Sequence, residues 1–384
     1  MKPTAAGSEM RSRPSTRSEP FEGGDGATGA AENAAVKDDS KAWQGNSDAP
    51  DPLQAVAARY AVAITPAMRG AVDPADPDDP VARQFYPDAR ELETRPEEDA
   101  DPIADEPYSP VAGIVHRHRD RVLLKASGVC PVYCRFCFRR ETVGPQAGIL
   151  SGEALEAALG YIAEHPEIWE VILTGGDPLI LSPRRLSAVL DRLEAIPHVA
   201  VIRLHSRVPV VAPERIDDAM LAALDRDKAV WLAVHTNHAN ELTGAARTAL
   251  RGLSRRGVAL IGQTVLLRGV NDDAATLEAL FRALVALRVK PYYLHHPDLA
   301  PGTGHFRLDI ADGQAIAADL RARASGLCQP LYVLDIPGGA GKVPLADGAA
   351  RPAKDGGWHV RDHAGLWHGY PPGPGDGQEN PPNR

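Results

Sequence analysis

Cysteine is scarce in this sequence, and long hydrophobic runs are absent. Only 4 of the 384 residues are cysteines, too few for a disulfide-dense secreted scaffold. No stretch approaches the roughly 18 apolar residues that a membrane-spanning helix needs, and residues 1–25 hold no apolar core of the signal-peptide kind. We therefore expect a cytoplasmic protein that does not contact membranes.

Positive charge is also limited. The chain has 42 Lys and Arg against 51 Asp and Glu, and its net charge of -9 gives no reason to expect nucleic acid as a partner. A hydrophobic content of 43% and a charged content of 24% are typical of a soluble globular enzyme. The length permits one large α/β domain or two to three smaller ones.

Three of the four cysteines lie in one segment, "SGVCPVYCRFCFRRETVG", residues 127–144. Cys130, Cys134 and Cys137 have the spacing C-x3-C-x2-C, whereas a structural zinc site usually has two ligand pairs. If the three thiolates hold a [4Fe-4S] cluster, one iron has no protein ligand and can bind a substrate or cofactor. The alternative is a closed zinc or iron–sulfur site completed by the distant Cys328.

Seven apolar runs between residues 120 and 345 predict buried strands. They alternate with helical patterns such as "SPRRLSAVLDRLEAI" and "PERIDDAMLAALDR", which favours a parallel sheet with crossover helices. Most runs end in polar residues, which a complete or partial β/α barrel would collect on one face. We therefore predict an α/β fold of barrel type, with a doubly wound sheet as the alternative. The seven runs are "RVLLKAS", "EVILTGG", "VAVIRLHS", "AVWLAVHT", "ALIGQTVLL", "KPYYLHH" and "LYVLDIP".

Composition divides the chain into four parts. Residues 1–48 are rich in small and acidic residues without apolar periodicity, so we predict disorder. Residues 49–112 are acidic and proline-rich with short helical patches, which suggests an N-terminal helical segment that wraps around the core. Residues 113–345 form the predicted barrel, and the Gly- and Pro-rich residues 346–384 are predicted to be an irregular tail.

The cysteine cluster and several further segments resemble the radical S-adenosylmethionine enzymes, and within them the lysine 2,3-aminomutase family. The resemblance extends from about residue 52 to residue 345. It implies a radical S-adenosylmethionine type of barrel and an isomerase that interconverts L-lysine and β-lysine. The segments are "LTGGDPL", "DPDDPVARQ", "GIVHRHRDRVLL", "SRVPVV", "HTNHANE", "QTVLLRGVND", "DLAPGTGHFR" and "DIPGGAGK".

The resemblance also implies cofactors and a protein partner. The three clustered cysteines would hold a [4Fe-4S] cluster whose fourth iron is chelated by S-adenosylmethionine, and pyridoxal 5'-phosphate would be the second coenzyme. An electron donor such as flavodoxin or ferredoxin is implied, and a homo-oligomer is left open.

From residue chemistry alone, two glycines allow close backbone approach and an aspartate can pair with an ammonium. The residues implied in S-adenosylmethionine binding are Gly175, Gly176, Asp177, His235 and Gln263.

Lys342 lies in the glycine-rich segment "DIPGGAGKVPL". This is not a phosphate-binding P-loop, because Val343 stands where Ser or Thr is needed. The resemblance implies that Lys342 forms a Schiff base with pyridoxal phosphate, and that Arg117 and Arg121 hold the coenzyme phosphate, a role suited to guanidinium groups. A solvated lysine and a basic surface turn are the alternatives.

Substrate choice is expected to depend on three charged residues. The resemblance implies that Arg139 binds the α-carboxylate, while Asp298 and Asp335 receive the side-chain ammonium of lysine. Two carboxylates around one cation favour a substrate with a distal amine, although Asp298 could also be a surface charge.

Three alternatives stay open at this point. "CRFCFRRE" and "YYLHH" resemble the branch that modifies elongation factor P, and His295 stands where the clostridial enzymes have an aromatic hydroxyl. The activity could therefore serve elongation factor P or use another amino acid. From a different class, the chain could be a non-catalytic iron–sulfur or zinc-binding protein.

Overall fold

A nine-stranded sheet forms the centre of the molecule, whose computed structural model describes residues 51–145, 147–345, 350–354, 356–362 and 365–372. The strand order is the chain order. β2 to β8 are parallel, and β1 and β9 add antiparallel strands at the two edges. No pairing joins β9 to β1 in the described residues, so the sheet is a curled, partial barrel, as predicted. The strands are β1 Ile114–His118, β2 Arg121–Ser127, β3 Glu170–Gly175, β4 Val201–Ser206, β5 Ala229–His235, β6 Ala259–Val265, β7 Lys290–His295, β8 Leu331–Ile336 and β9 Gly341–Pro344.

Helices fill most of the crossovers between parallel strands. Their first turns are capped by side-chain oxygens, among them those of Ser151, Ser182, Thr243 and Asp273. Each cap satisfies backbone N–H groups that would otherwise lack a partner at the helix start. The helices are α1 Pro52–Arg59, α2 Pro66–Arg69, α3 Ala82–Phe85, α4 Gly152–Glu164, α5 Pro183–Glu194, α6 Val208–Val211, α7 Asp218–Ala223, α8 Gly244–Arg255, α9 Ala274–Ala286 and α10 Ile310–Arg323.

The inner strands bury apolar side chains on one face and carry polar ones on the other. In β4, Ile202 and Leu204 are fully buried in the main core, while His205 contacts His235 of β5 across the opposite face. Successive side chains of a strand point to opposite faces of the sheet. The helices therefore cover the apolar face, and the polar face lines the inside of the barrel.

The described part of the N-terminal segment lies against the barrel. Its backbone bonds to the loop after β2, where Tyr133 N donates to Ala63 O at 2.8 Å, and to the loop after β8, where Gly338 N donates to Pro102 O at 3.3 Å. Residues 1–48, which we predicted to be disordered, lie outside the described residues.

The C-terminal region differs from the predicted irregular tail. It contains a three-stranded antiparallel sheet, whose Val360 and Tyr370 are buried in the main core. The strands are only three or four residues long and lie among many Gly and Pro residues, so their apolar side chains did not stand out as a strand pattern in the sequence. Among the helices of the described residues, none combines the length and the apolar character that a membrane-spanning helix needs. The strands are β10 Ala350–Pro352, β11 Trp358–Arg361 and β12 Trp367–Tyr370.

Candidate active site

The three clustered cysteines lie in the loop that follows β2, at the carboxyl end of the sheet. The end of β3 packs directly on this loop. Gly176 N donates to Ser127 O at 2.7 Å, and a Cβ on Gly176 would lie 2.4 Å from Val129 O. Because such a contact is far too short, only glycine permits this approach.

A buried ion-pair cluster holds the cysteine loop to the N-terminal segment. Arg135 Nε and Nη2 donate to the two carboxylate oxygens of Glu91 at 2.9 and 2.6 Å, and Arg140 Nη2 donates to the same carboxylate. All three side chains have no solvent exposure. Sequence reasoning missed this cluster, because nothing near Glu91 in the sequence indicates partners so far along the chain.

Arg207, which follows β4, contacts the cysteine loop directly. Its Nη1 donates to Cys134 Sγ at 2.9 Å, and its Nη2 donates to Gln84 Oε1 at 3.0 Å and to Glu241 Oε2. The guanidinium lies over the ring of Phe85, with 5.0 Å between its carbon and the ring centroid. The segment "SRVPVV" contains this arginine and contributes to the family resemblance, but no role was predicted for it from the sequence.

The loop fits an iron–sulfur cluster by its donor chemistry. Burial raises the pKa of Cys137 to about 11 and that of Cys130 well above its usual value, so thiolates here need an adjacent cation such as iron. Within the described ranges, no three His, Cys, Asp or Glu side chains are spaced for a single metal ion. A cluster does not need that spacing, because each thiolate binds a different iron.

Asp177 is buried at the end of β3, and the protein itself satisfies its carboxylate. Oδ1 accepts from Ser206 Oγ at 2.7 Å and from Leu179 N at 3.0 Å, while Oδ2 accepts from Arg207 N at 2.7 Å and from Val208 N at 3.2 Å. These bonds join the ends of β3 and β4. The side chain is therefore not free to pair with an ammonium, and a role in cofactor binding would fall to the backbone of this turn.

His235 and Gln263 are paired neighbours on β5 and β6, on the inner face of the barrel. His235 Nε2 lies 3.3 Å from His205 Nδ1, and burial, with Arg207 nearby, lowers the pKa of His235 to about 3. The ring is therefore neutral near pH 7. His205 Nε2 and Thr236 Oγ1 are buried here without a hydrogen-bond partner in the described structure, as expected where a polar ligand binds.

Lys342 and Asp335 form an ion pair at the other side of the barrel end. They are direct partners in the antiparallel pairing of β8 with β9, and Lys342 Nζ donates to Asp335 Oδ2. His295 Nδ1 lies 3.3 Å from both Lys342 Nζ and Asp335 Oδ2, and Lys342 Nζ lies 5.3 Å from the centroid of the Tyr293 ring. Although burial raises the pKa of Asp335, the Lys342 ammonium holds it well below its usual range.

Asp298 lies in the loop after β7, close to this pair. Burial and the charge of Asp335 raise the pKa of Asp298 to about 7. The positive charges of Lys342 and Arg139 act in the opposite direction and lower this pKa. The structure thus brings together both predicted ammonium-binding carboxylates and the predicted coenzyme lysine.

Arg139 and Arg117 share one carboxylate, that of Asp105. Arg139 Nε donates to Asp105 Oδ2 at 2.9 Å, and Arg117 Nη2 donates to Oδ1 at 3.2 Å. Arg117 Nε is buried without a partner in the described residues and would lie 3.1 Å from a Cβ on Gly339, in the glycine loop before Lys342. An unpaired guanidinium N–H beside this loop fits the phosphate of a coenzyme held by Lys342.

Arg121 is less closely associated with this group. It begins β2, at the opposite end of that strand from the cysteine loop, and pairs with Asp120 at 2.8 Å. Within the described ranges, no hydrogen bond or ion pair joins it to Arg117 or Lys342. Its role in phosphate binding stays a prediction.

Comparisons with known proteins show which family the sequence resembles. Residues 124–280 match the model of the radical SAM superfamily. The chain is 42% identical over 284 residues to L-lysine 2,3-aminomutase of Clostridium subterminale, covering 74% of this chain and 68% of that protein. It is 36% identical over 293 residues to glutamate 2,3-aminomutase of Clostridioides difficile, covering 76% and 69%.

Among solved structures, a radical SAM methyltransferase from Sphaerobacter thermophilus is similar with a TM-score of 0.42. It is 20% identical, and the match covers 58% of this chain and 68% of that one.

Proposed function

The chain belongs to the lysine 2,3-aminomutase family of radical S-adenosylmethionine enzymes, and from that premise we propose that it interconverts L-lysine and β-lysine. Family membership implies a [4Fe-4S] cluster, S-adenosylmethionine and pyridoxal phosphate. Together these groups supply the radical chemistry that moves an amino group between adjacent carbons. An electron donor of the flavodoxin or ferredoxin type is part of this proposal.

The observation that supports lysine as the substrate is the ammonium site at Asp335. A primary ammonium, that of Lys342, already lies against this carboxylate, and Asp298 provides a second acidic group nearby. A site of two carboxylates favours a distal ammonium over a neutral or anionic side chain. Glutamate would place a third carboxylate there.

The chain's own residues then have distinct tasks. Cys130, Cys134 and Cys137 would hold the cluster, and Lys342 would hold pyridoxal phosphate with Arg117 near its phosphate. Arg139 would bind the α-carboxylate of the substrate.

Product analysis tests this proposal. Anaerobically reconstituted protein is incubated with L-lysine, L-glutamate or L-alanine together with S-adenosylmethionine and a reductant. We expect β-lysine from L-lysine and no product from the other two. Conversion of L-glutamate in preference to L-lysine would reject the lysine assignment, while leaving the family assignment in place.

The coenzyme assignment has its own test. Borohydride reduction of the pyridoxal phosphate-loaded protein, followed by peptide mapping, should find the phosphopyridoxyl group on Lys342. A label on another lysine would contradict the role of Lys342. The Lys342→Arg variant is the control and should carry no label.

A further inference from the structure

The two ends of the proposed substrate site are each occupied by a group of this chain. The carboxylate of Asp105 lies on Arg139, where a substrate carboxylate is expected, and the ammonium of Lys342 lies on Asp335, where a substrate ammonium is expected. Asp105 also pairs with Arg117, which ties it to the barrel wall. Lys342 is different, because the proposed chemistry itself changes its charge and its hydrogen-bond donors.

We propose that Lys342 occupies the substrate's ammonium site in the coenzyme-free enzyme, and that Asp335 accepts a substrate only after the coenzyme has taken up the Lys342 amine. The inference rests on the proposed function and adds an order of binding to it. The coenzyme must therefore be bound before Asp335 can bind the side-chain ammonium of the substrate, although that ammonium does not touch the coenzyme.

The backbone makes this competition unavoidable. Lys342 and Asp335 are directly opposite each other in the pairing of β8 with β9. Side chains of directly opposed residues lie on the same face, about 5 Å apart at Cβ. A flexible ammonium in that position has a local concentration on the order of millimolar or higher, so it competes with free lysine for Asp335.

Uptake by the coenzyme removes the competitor in a balanced step. The lysine nitrogen forms a C=N bond with the aldehyde carbon of pyridoxal phosphate, the aldehyde oxygen leaves as one water, and the nitrogen keeps at most one of its three N–H donors. Asp335 then loses its charge-assisted partner. A second ammonium, supplied by the substrate, restores the pairing of this partly buried carboxylate.

Two substitutions separate charge from covalent chemistry. Neither Lys342→Met nor Lys342→Arg can bond to the coenzyme, but only the arginine variant keeps a cation opposite Asp335. Binding of L-lysine to coenzyme-free protein is measured by isothermal titration calorimetry, after thermal unfolding and iron content have shown that both variants are folded. We expect the methionine variant to bind L-lysine roughly 10- to 100-fold more tightly than the arginine variant and the wild type.

L-Norleucine, which has a similar chain without the ammonium, distinguishes the possible failures. If the methionine variant binds L-lysine and L-norleucine equally, the ammonium site and with it the proposed lysine activity are wrong. If it prefers L-lysine but the two variants bind it equally, only the competition by Lys342 is wrong. A methionine variant with no measurable affinity for L-lysine also overturns the inference.

Discussion

The cysteine loop and the Lys342 region lie at the same end of the barrel but are stabilised differently. The ion pairs of the cysteine loop are fully buried. They join Arg135 and Arg140 of the loop to Glu91 of the N-terminal segment. The Lys342–Asp335 pair joins neighbours in one hairpin, and its side chains are 27% and 20% exposed. The cysteine loop is thus held in place by buried ion pairs between distant segments. In the Lys342 region, by contrast, a ligand's ammonium can take the place of Lys342 on Asp335.

This difference predicts different consequences of mutation. A buried charge that loses its partner destabilises the fold, because the remaining charge is no longer solvated or paired. A partly exposed charge that loses its partner can be solvated, so the loss appears in ligand binding instead. Substitutions in the two regions should therefore separate stability from substrate recognition.

The largest effect is expected from Cys134→Ala. Removing this ligand should abolish the iron and sulfide content and the cleavage of S-adenosylmethionine, because two thiolates do not retain the cluster. Iron and sulfide analysis of anaerobically reconstituted protein measures it. The matched control is Cys328→Ala, which should retain both. Loss of the cluster in that control would show that Cys328 is a fourth ligand.

The second effect is on stability. Glu91→Ala leaves Arg135 and Arg140 buried without a counter-ion and should lower the free energy of unfolding by about 3–5 kcal/mol. Urea denaturation followed by circular dichroism measures this. Glu93→Ala, an exposed carboxylate of the same segment, should change it by less than about 0.5 kcal/mol. Equal stability of the two variants would contradict the structural role of the buried cluster.

Asp335→Asn should instead affect substrate use. Losing one charge-assisted contact to the substrate ammonium typically costs on the order of 2–4 kcal/mol, or roughly 30- to 1000-fold in kcat/KM for L-lysine. The absorbance of the cluster and of the coenzyme should persist. Steady-state kinetics test this, and normal turnover of L-lysine would reject the ammonium site.

The smallest effect is a pH dependence that Asp298 should confer. Its raised pKa of about 7 means that the carboxyl is protonated below pH 7 and ionised above it. Affinity for L-lysine should therefore rise as the pH is raised through the pKa of Asp298, by at most about tenfold per unit, and then level off. Calorimetric titration of coenzyme-loaded protein measures it. Asp298→Asn should bind more weakly at pH 8 and lose this dependence.

Local patterns in the sequence predicted most of the central sheet. The seven apolar runs correspond to β2 to β8, and the polar residues at their ends do meet at one end of the barrel. The pattern "PERIDDAMLAALDR" was less reliable, since only its middle part, Asp218–Ala223, forms helix α7. Asp217 accepts from Met220 N and begins the helix there, so the first part forms a separate short turn.

The interactions that complete the site could not be predicted from the sequence. The bonds from Ser206 and Arg207 to Asp177, and those from Arg207 to Gln84, join residues that only the folded barrel brings together. Asp177 illustrates the limit, because its side chain looks available for a ligand until these donors are known. Residue type and spacing identify candidate residues, but not which of them the protein itself has already paired.

The lengths of chain between contacting residues also bear on how the molecule folds. Lys342 and Asp335 are 7 residues apart, whereas Arg135 and Glu91 are 44 apart and Arg207 and Gln84 are 123 apart. Closing a longer loop costs more chain entropy, and contacts between distant residues slow folding. We therefore expect the hairpin that holds Lys342 and Asp335 to form early, and the contacts that join distant segments around the cysteines to form late.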